Sequence, residues 1–273
     1  LERNLLTDIV LDDIAHLRID RLRKVMLDTK ASLCSQRALL YTESFKQTEN
    51  EPYILRKAKA FAHTLDHMSI FIETDSLIFG NMASQNFAAP VFPEYSMDWL
   101  VDEIDTFSLR KGDVFQVDEK VKADILSISD FWLGKTHKDE VKRNLTEDIR
   151  LASKTGALHL GGISMSGDGH VVPDYPTLLS RGFRWYIDEA NKKIREVQTI
   201  EQKSFYQAVI ISLEAALRWI KRYGKIAEQL STEEEGQRKT ELLDMAAMAM
   251  TLMERPAQSF WECVLATYLV HIL

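Results

Sequence analysis

Along most of this chain apolar positions recur with the period of a helix, and the stretches that break the rule are few. Residues 1–32 read as helix, with Leu22, Val25 and Met26 at i, i+3 and i+4 and Arg21, Arg23 and Lys24 between them. Ser35 is placed to cap a second helix over 36–48, and Pro52 suits the first turn of a third that runs to about His67. From Ser69 the period shortens. Ile70-Phe71-Ile72 and Leu77-Ile78-Phe79, separated by Glu73-Thr74-Asp75-Ser76 and closed by Gly80-Asn81, predict a pair of short strands or extended segments. Ala88 to Ser96 contains Pro90 and Pro93 and should be extended, since the residue before a proline is steered out of the helical region. Further helices are expected from Ser96 or Asp98, carrying Trp99, Leu100 and Ile104, and near 118–131 and 139–153.

The second half is more strongly helical. A helix opens at Pro176 with Phe183, Ile187, Ala190 and Ile194 as its buried stripe, and a longer one follows over 201–230. Between Phe205 and Leu217 that helix is apolar almost all round, which predicts burial on several sides. Another spans 237–252, Arg255-Pro256 breaks it, and Ser259 caps a last helix through Leu273 that is apolar throughout except at Glu262 and His271. An apolar helix with no terminal cap or polar tail should dock on something, so the expectation is a truncated piece of a larger protein.

Composition narrows the classes. With 273 residues, 45% of them hydrophobic, the chain can bury a sizeable core in one or two units. A net charge of −7, with basic residues interleaved among acids, excludes the massed positive surface that nucleic acid or an anionic membrane would need. No apolar run reaches the ~18 residues of a membrane span. Cys34 and Cys263 are too few for a disulfide framework and lack zinc spacing, so a reducing, cytoplasmic setting is expected. His63 and His67 are four apart on a helix, but no glutamate follows His63 as in HExxH, and no metal is expected. Gly134-Lys135-Thr136 lacks the earlier glycine of a phosphate loop.

Chemistry concentrates in Ser164 to Pro176. Gly167 and Gly169 free the backbone around Asp168, Pro173 and Pro176 stiffen the exit, and His170 and Asp174 bring an imidazole and a carboxylate within four residues. Loops so built carry function, although an exposed histidine beside a Gly-Asp-Gly turn is also a common surface feature.

Several ordered blocks then carry a resemblance. Gln36-Arg37-Ala38-Leu39-Leu40-Tyr41-Thr42-Glu43-Ser44-Phe45-Lys46, Glu51-Pro52 with Arg56-Lys57-Ala58, Ala88-Ala89-Pro90-Val91-Phe92-Pro93-Glu94, and Gly169-His170-Val171 with Asp174-Tyr175 resemble the N-terminal part of the glycyl radical enzymes. The similarity covers residues 17–273 and is closer to the glycerol and propanediol dehydratase and lyase branch than to pyruvate formate-lyase itself. It implies a mainly α chain with a small β component, the helical N-terminal part of an α/β barrel truncated before the catalytic loops. Residues 1–16 would be a peripheral extension and 17–273 an incomplete pyruvate formate-lyase-type domain.

The resemblance also implies radical dehydration, or C–X or C–C cleavage, of a small hydroxylated substrate. His170 would bind a substrate hydroxyl, with Asp174 as its orienter, and no residue here would be catalytic in its own right. The thiyl cysteine and radical glycine would lie outside these residues, so the piece alone should be inactive and bind no cofactor. A glycyl radical would be installed by an S-adenosylmethionine- and iron–sulfur-dependent activating enzyme. The implied partners are the remainder of the chain, that enzyme, a second copy in a homodimer and a small-molecule substrate. Two alternatives stand beside this reading: an acyltransferase of the pyruvate formate-lyase kind, and a non-catalytic helical scaffold.

Overall fold

The computed structural model describes residues 5–160 and 171–273. Its helices are α1 (Leu5–Asp28), α2 (Gln36–Gln47), α3 (Tyr53–His67), α4 (Asp98–Glu103), α5 (Glu119–Trp132), α6 (His137–Asn144), α7 (Glu147–Lys154), α8 (Tyr175–Glu196), α9 (Ile200–Ser231), α10 (Gly236–Glu254) and α11 (Phe260–Ile272). Against these stand two three-residue strands, β1 (Ser32–Cys34) and β2 (Ala88–Pro90), paired in parallel with Ser32 opposite Ala88. Gln116 bridges to the other edge of β1, its N–H donating to Ala31 O at 2.7 Å while Leu33 N–H donates to Gln116 O at 3.0 Å. The described chain is therefore mainly α with a small β component.

Two apolar clusters hold the helices. The larger centres on α9, which packs against α3, α8 and α10; Trp219, Ile220, Tyr223 and Ala227 lie fully buried there with Met245, Ala249, Leu265 and Leu269. The smaller joins α2, α4 and α5 around Tyr41, Phe45, Met97, Phe107, Ile125 and Trp132. Trp132 keeps its indole satisfied inside it, donating from Nε1 to Thr42 Oγ1 at 2.7 Å.

Local signals account for many helix boundaries. Thr136, Thr199 and Ser259 each accept a hydrogen bond from the backbone N–H three residues on and donate the reciprocal one from their own N–H to the side chain there, closing capping boxes on α6, α9 and α11. Thr136, the last residue of the Gly-Lys-Thr sequence, is thus a helix cap. The expected helix over 139–153 is two helices, divided where Leu145 is extended and Thr146 begins α7. Ser35 stands at the start of α2, but its hydroxyl donates to Asp124 Oδ2 at 2.7 Å and makes no cap bond, so it ties α2 to α5.

Three expectations need correcting. Residues 70–79 form no strand pair: no strand is present between α3 and β2. Their carbonyls meet side-chain donors from distant helices, Arg238 reaching Ser76 O at 2.8 Å and Glu73 O at 3.2 Å and Trp261 Nε1 reaching Leu77 O at 2.7 Å. Phe79 fills the larger core, so the apolar pattern marked burial rather than pairing. In α9 the most buried side chains lie further along than expected, between Ala215 and Ala227, on a face opposite the exposed Arg218, Lys221 and Lys225, while Phe205 is 50% exposed. Helix α8 is also not straight. Gly182 adopts φ 78, ψ 172, and an added Cβ would sit 3.0 Å from Pro256 N, so the kink lets the α10–α11 connection pass close by.

Candidate functional site

The loop from Ser164 to Pro176 enters the described structure at Val171 and ends on α8. Asp174 is the N-cap there, its Oδ1 accepting from Thr177 N–H at 3.1 Å. Hydrogen bonding from the Thr177 side chain first, and from its backbone N–H second, holds the exposed carboxyl below the usual carboxylate range. Asp174 is therefore ionised at neutral pH and anchored to α8.

Pro173 and Asp174 border a cleft of about 760 Å³ running between α2, α3, α8 and α9. Its walls are mostly apolar, with Phe61, Leu178, Phe183 and Phe205 among them. Its polar residues include Arg37, Tyr41, Lys57, Glu94, Asp174 and Tyr186. Arg37 on α2 pairs bidentately with Glu94, Nη2 to Oε1 at 2.6 Å and Nη1 to Oε2 at 3.1 Å, and its Nη1 also donates to Val91 O at 3.3 Å. The guanidinium is 3.7 Å from the centre of the Phe92 ring and 4.6 Å from that of Tyr41. Glu94 is 3% exposed. Its backbone is fixed too, since His137 N–H donates to Glu94 O at 2.9 Å and Lys138 N–H to Tyr95 O at 3.0 Å, so the start of α6 pins the extended Ala88–Ser96 segment.

This pair neutralises itself. Both Glu94 oxygens accept from Arg37, so neither is free to act as a base, and the planar fork locks the Phe92–Tyr95 turn against α2. Burial, followed by the negative charge of Glu94, pushes the Tyr41 phenol far above its usual range and the Tyr53 phenol upward as well. These groups can donate hydrogen bonds but not release protons. Tyr186 likewise is raised, by burial first and by Asp174 second, and its hydroxyl lies 3.5 Å from Asp174 O. With Arg37 paired to Glu94 and the phenols held protonated, this lining offers hydrogen-bonding groups within mostly apolar walls.

Of the residues singled out by sequence, Asp174 is at this cleft and His170 lies outside the described residues. Arg37, Tyr41 and Glu94 were visible only as members of conserved-looking blocks; the signal that pairs Arg37 with Glu94, 57 residues apart, is absent from local patterning. Cys34 is buried in β1 with Sγ 3.1 Å from Ser84 Oγ, and Cys263 sits half-buried within α11, so neither stands on an exposed loop. His63 Nε2 is 3.2 Å from Glu43 Oε2 and His67 Nδ1 is 2.9 Å from His63 O. Among the described residues no group of three His, Cys, Asp or Glu side chains is gathered as a metal site would need. None of the described helices is long and apolar enough to cross a membrane.

Comparison with known proteins follows this geometry. The sequence profile of the pyruvate formate lyase-like family matches residues 8–273. The chain is 32% identical over 270 residues to the (2S)-3-sulfopropanediol dehydratase of Klebsiella oxytoca, covering 93% of this chain and 33% of that protein. The glycerol-bound B12-independent glycerol dehydratase from Clostridium butyricum superposes with a TM-score of 0.89 at 35% identity, over 93% of this chain and 33% of that one. A glycyl radical enzyme from Archaeoglobus fulgidus gives a TM-score of 0.86 at 36% identity, with the same coverage. The chain spans about a third of the length of the relatives it matches.

Proposed function

Since the chain belongs to the pyruvate formate lyase-like family, we propose that it is the N-terminal portion of a glycyl radical dehydratase or lyase acting on a small hydroxylated substrate. The observation that carries this is the agreement of backbone and sequence with glycerol dehydratase across nearly the whole chain. The cleft beside Asp174, at about 760 Å³, has ample room for such a substrate, and Tyr41, Asp174 and Tyr186 put hydrogen-bonding groups on its walls.

In this reading His170 hydrogen-bonds the departing hydroxyl and gives it a proton, so that it leaves as water. Asp174, ionised and held by Thr177, is the orienter of His170 in this reading. Radical chemistry is supplied by groups this chain does not offer. Cys34 is packed in a strand and Cys263 in a helix, so neither fits an abstracting thiyl, and no step is assigned to them. A radical glycine installed by an S-adenosylmethionine- and iron–sulfur-dependent activating enzyme would reside elsewhere in the full-length protein, which we take to be a cytoplasmic homodimer.

The test is anaerobic activation of the protein from the complete gene with such an enzyme. A glycyl doublet in electron paramagnetic resonance, and water released from glycerol, propane-1,2-diol or a sulfonated diol, is the expected result. The 273-residue chain alone should give neither signal nor product. A full-length protein that accepts no radical, or that turns over only pyruvate and coenzyme A, would overturn the dehydratase reading.

A further inference from the structure

His63 and His67 stand one turn apart on α3, and each has one ring nitrogen committed to an oxygen. His63 Nε2 lies 3.2 Å from Glu43 Oε2 on α2, and His67 Nδ1 lies 2.9 Å from His63 O. Carboxylate and carbonyl oxygens only accept, so these two nitrogens carry the ring hydrogens. In each neutral ring the other nitrogen, Nδ1 of His63 and Nε2 of His67, is then a bare lone pair, and neither has a partner among the described residues. Both rings are open to solvent: His67 is exposed, and 21% of the His63 side chain is accessible. Their centres are 4.2 Å apart at an interplanar angle of 41°. That is near enough for one ion to span them, each nitrogen about 2.0–2.1 Å from it.

We propose that His63 Nδ1 and His67 Nε2 chelate a Zn²⁺ ion, with water completing its shell. An oxygen acceptor on the far nitrogen is what the ligating histidines of metal sites carry, because it fixes the tautomer, holds the ring and makes the ligating nitrogen more basic. Here a carboxylate serves one ring and a backbone carbonyl the other. Glu43 is itself braced, with Gln47 Nε2 donating to its Oε1 at 3.4 Å. The surrounding charge favours a cation. Glu43 brings a negative charge beside the rings, and Lys59, one turn before His63, is turned onto Glu51 at 2.6 Å. Imidazole nitrogen suits Zn²⁺, whereas Mg²⁺ and Ca²⁺ take oxygen ligands. An anion would face the Glu43 carboxylate. Two protein ligands are fewer than a closed structural site has, so the glutamate missing after His63 and the lack of a three-residue cluster leave this chelate open. Neither histidine lines the cleft beside Asp174, and the site is separate from it.

Isothermal titration of the unactivated full-length protein with zinc chloride, in excess magnesium chloride, tests this. Saturable Zn²⁺ binding is expected, at least about tenfold weaker in His63→Gln and in His67→Gln, and about tenfold or more weaker in Glu43→Ala, the loss that follows removal of an outer-shell partner. Absence of saturable binding, or wild-type affinity in any of the three variants, would overturn the proposal. A second measurement needs no variant. One equivalent of Cu²⁺, added to the wild type as a spectroscopic probe, should show hyperfine splitting from two nitrogens in electron paramagnetic resonance, and a spectrum without nitrogen ligands would equally overturn it.

Discussion

Arg37 and Glu94 are bound to each other more tightly than either is to solvent, with side chains 14% and 3% exposed. Pairs of this kind punish the loss of one member, because the survivor keeps its burial and loses its partner. Arg37→Ala should therefore destabilise the protein by about 3–5 kcal/mol in urea denaturation. Arg37→Met combined with Glu94→Leu should recover most of that, and a double variant no better than the single one would mean the pair does more than balance charge. A second prediction concerns His170. In the full-length enzyme His170→Ala should cut product formed per glycyl radical on the order of 10²-fold, the contribution of one positioned acid or base, while the radical yield stays at wild type. Normal turnover with a lowered melting temperature would assign His170 to the loop's structure instead. The Arg37–Glu94 pair was not legible locally: Glu94 read as one more acid after a proline until folding brought it against Arg37.

At the scale of elements the informative case is Gly182, inside α8 at φ 78 and ψ 172. That region of backbone space is essentially closed to residues with a Cβ, and here the Cβ would also press on Pro256 N at 3.0 Å. Gly182→Ala should cost about 1–3 kcal/mol or more, measured by chemical denaturation, and should loosen the α10–α11 connection to proteolysis. A neutral outcome would show that the kink relaxes freely. The helix bends at Gly182 because Arg255-Pro256 crosses it, a contact between segments that no local pattern announces. The caps behave differently. Thr136, Thr199 and Ser259 were each followed three residues later by Asp139, Gln202 and Glu262, and a cap needs nothing beyond that spacing.

For the molecule as a whole, acid should be the sensitive direction. Among the described residues Asp75, Asp98, Asp124, Glu140, Asp148, Asp174 and Glu262 are all held below the ordinary carboxylate range. In Asp98, Asp124 and Glu262 burial pulls the other way and is overcome by donors, Lys138, Trp99 N–H and Lys142 in the case of Asp98. Elsewhere a side-chain hydrogen bond leads. A carboxyl depressed by folding contributes stability above its unfolded pKa of about 4, and that contribution is lost as pH falls through the folded value. Melting temperature should accordingly be level near neutrality and fall steadily from about pH 5 downward. Asp98→Asn, which cuts the links from α4 to Lys138 at 2.8 Å and Lys142 at 3.2 Å, should lower it at neutral pH and flatten part of that fall. A melting temperature unchanged down to pH 3 would contradict the sense of these shifts. By itself the sequence determined the helical character and most helix ends, because periodicity and caps act within a few residues. Only tertiary structure decided that residues 70–79 are not strands, that Arg37 closes on Glu94, and that a cleft opens beside Asp174. The carbonyl of Ser76 is met by Arg238, 162 positions away, and a choice between a strand ladder and so distant a donor is made by the packed helices, not by the segment that carries the carbonyl.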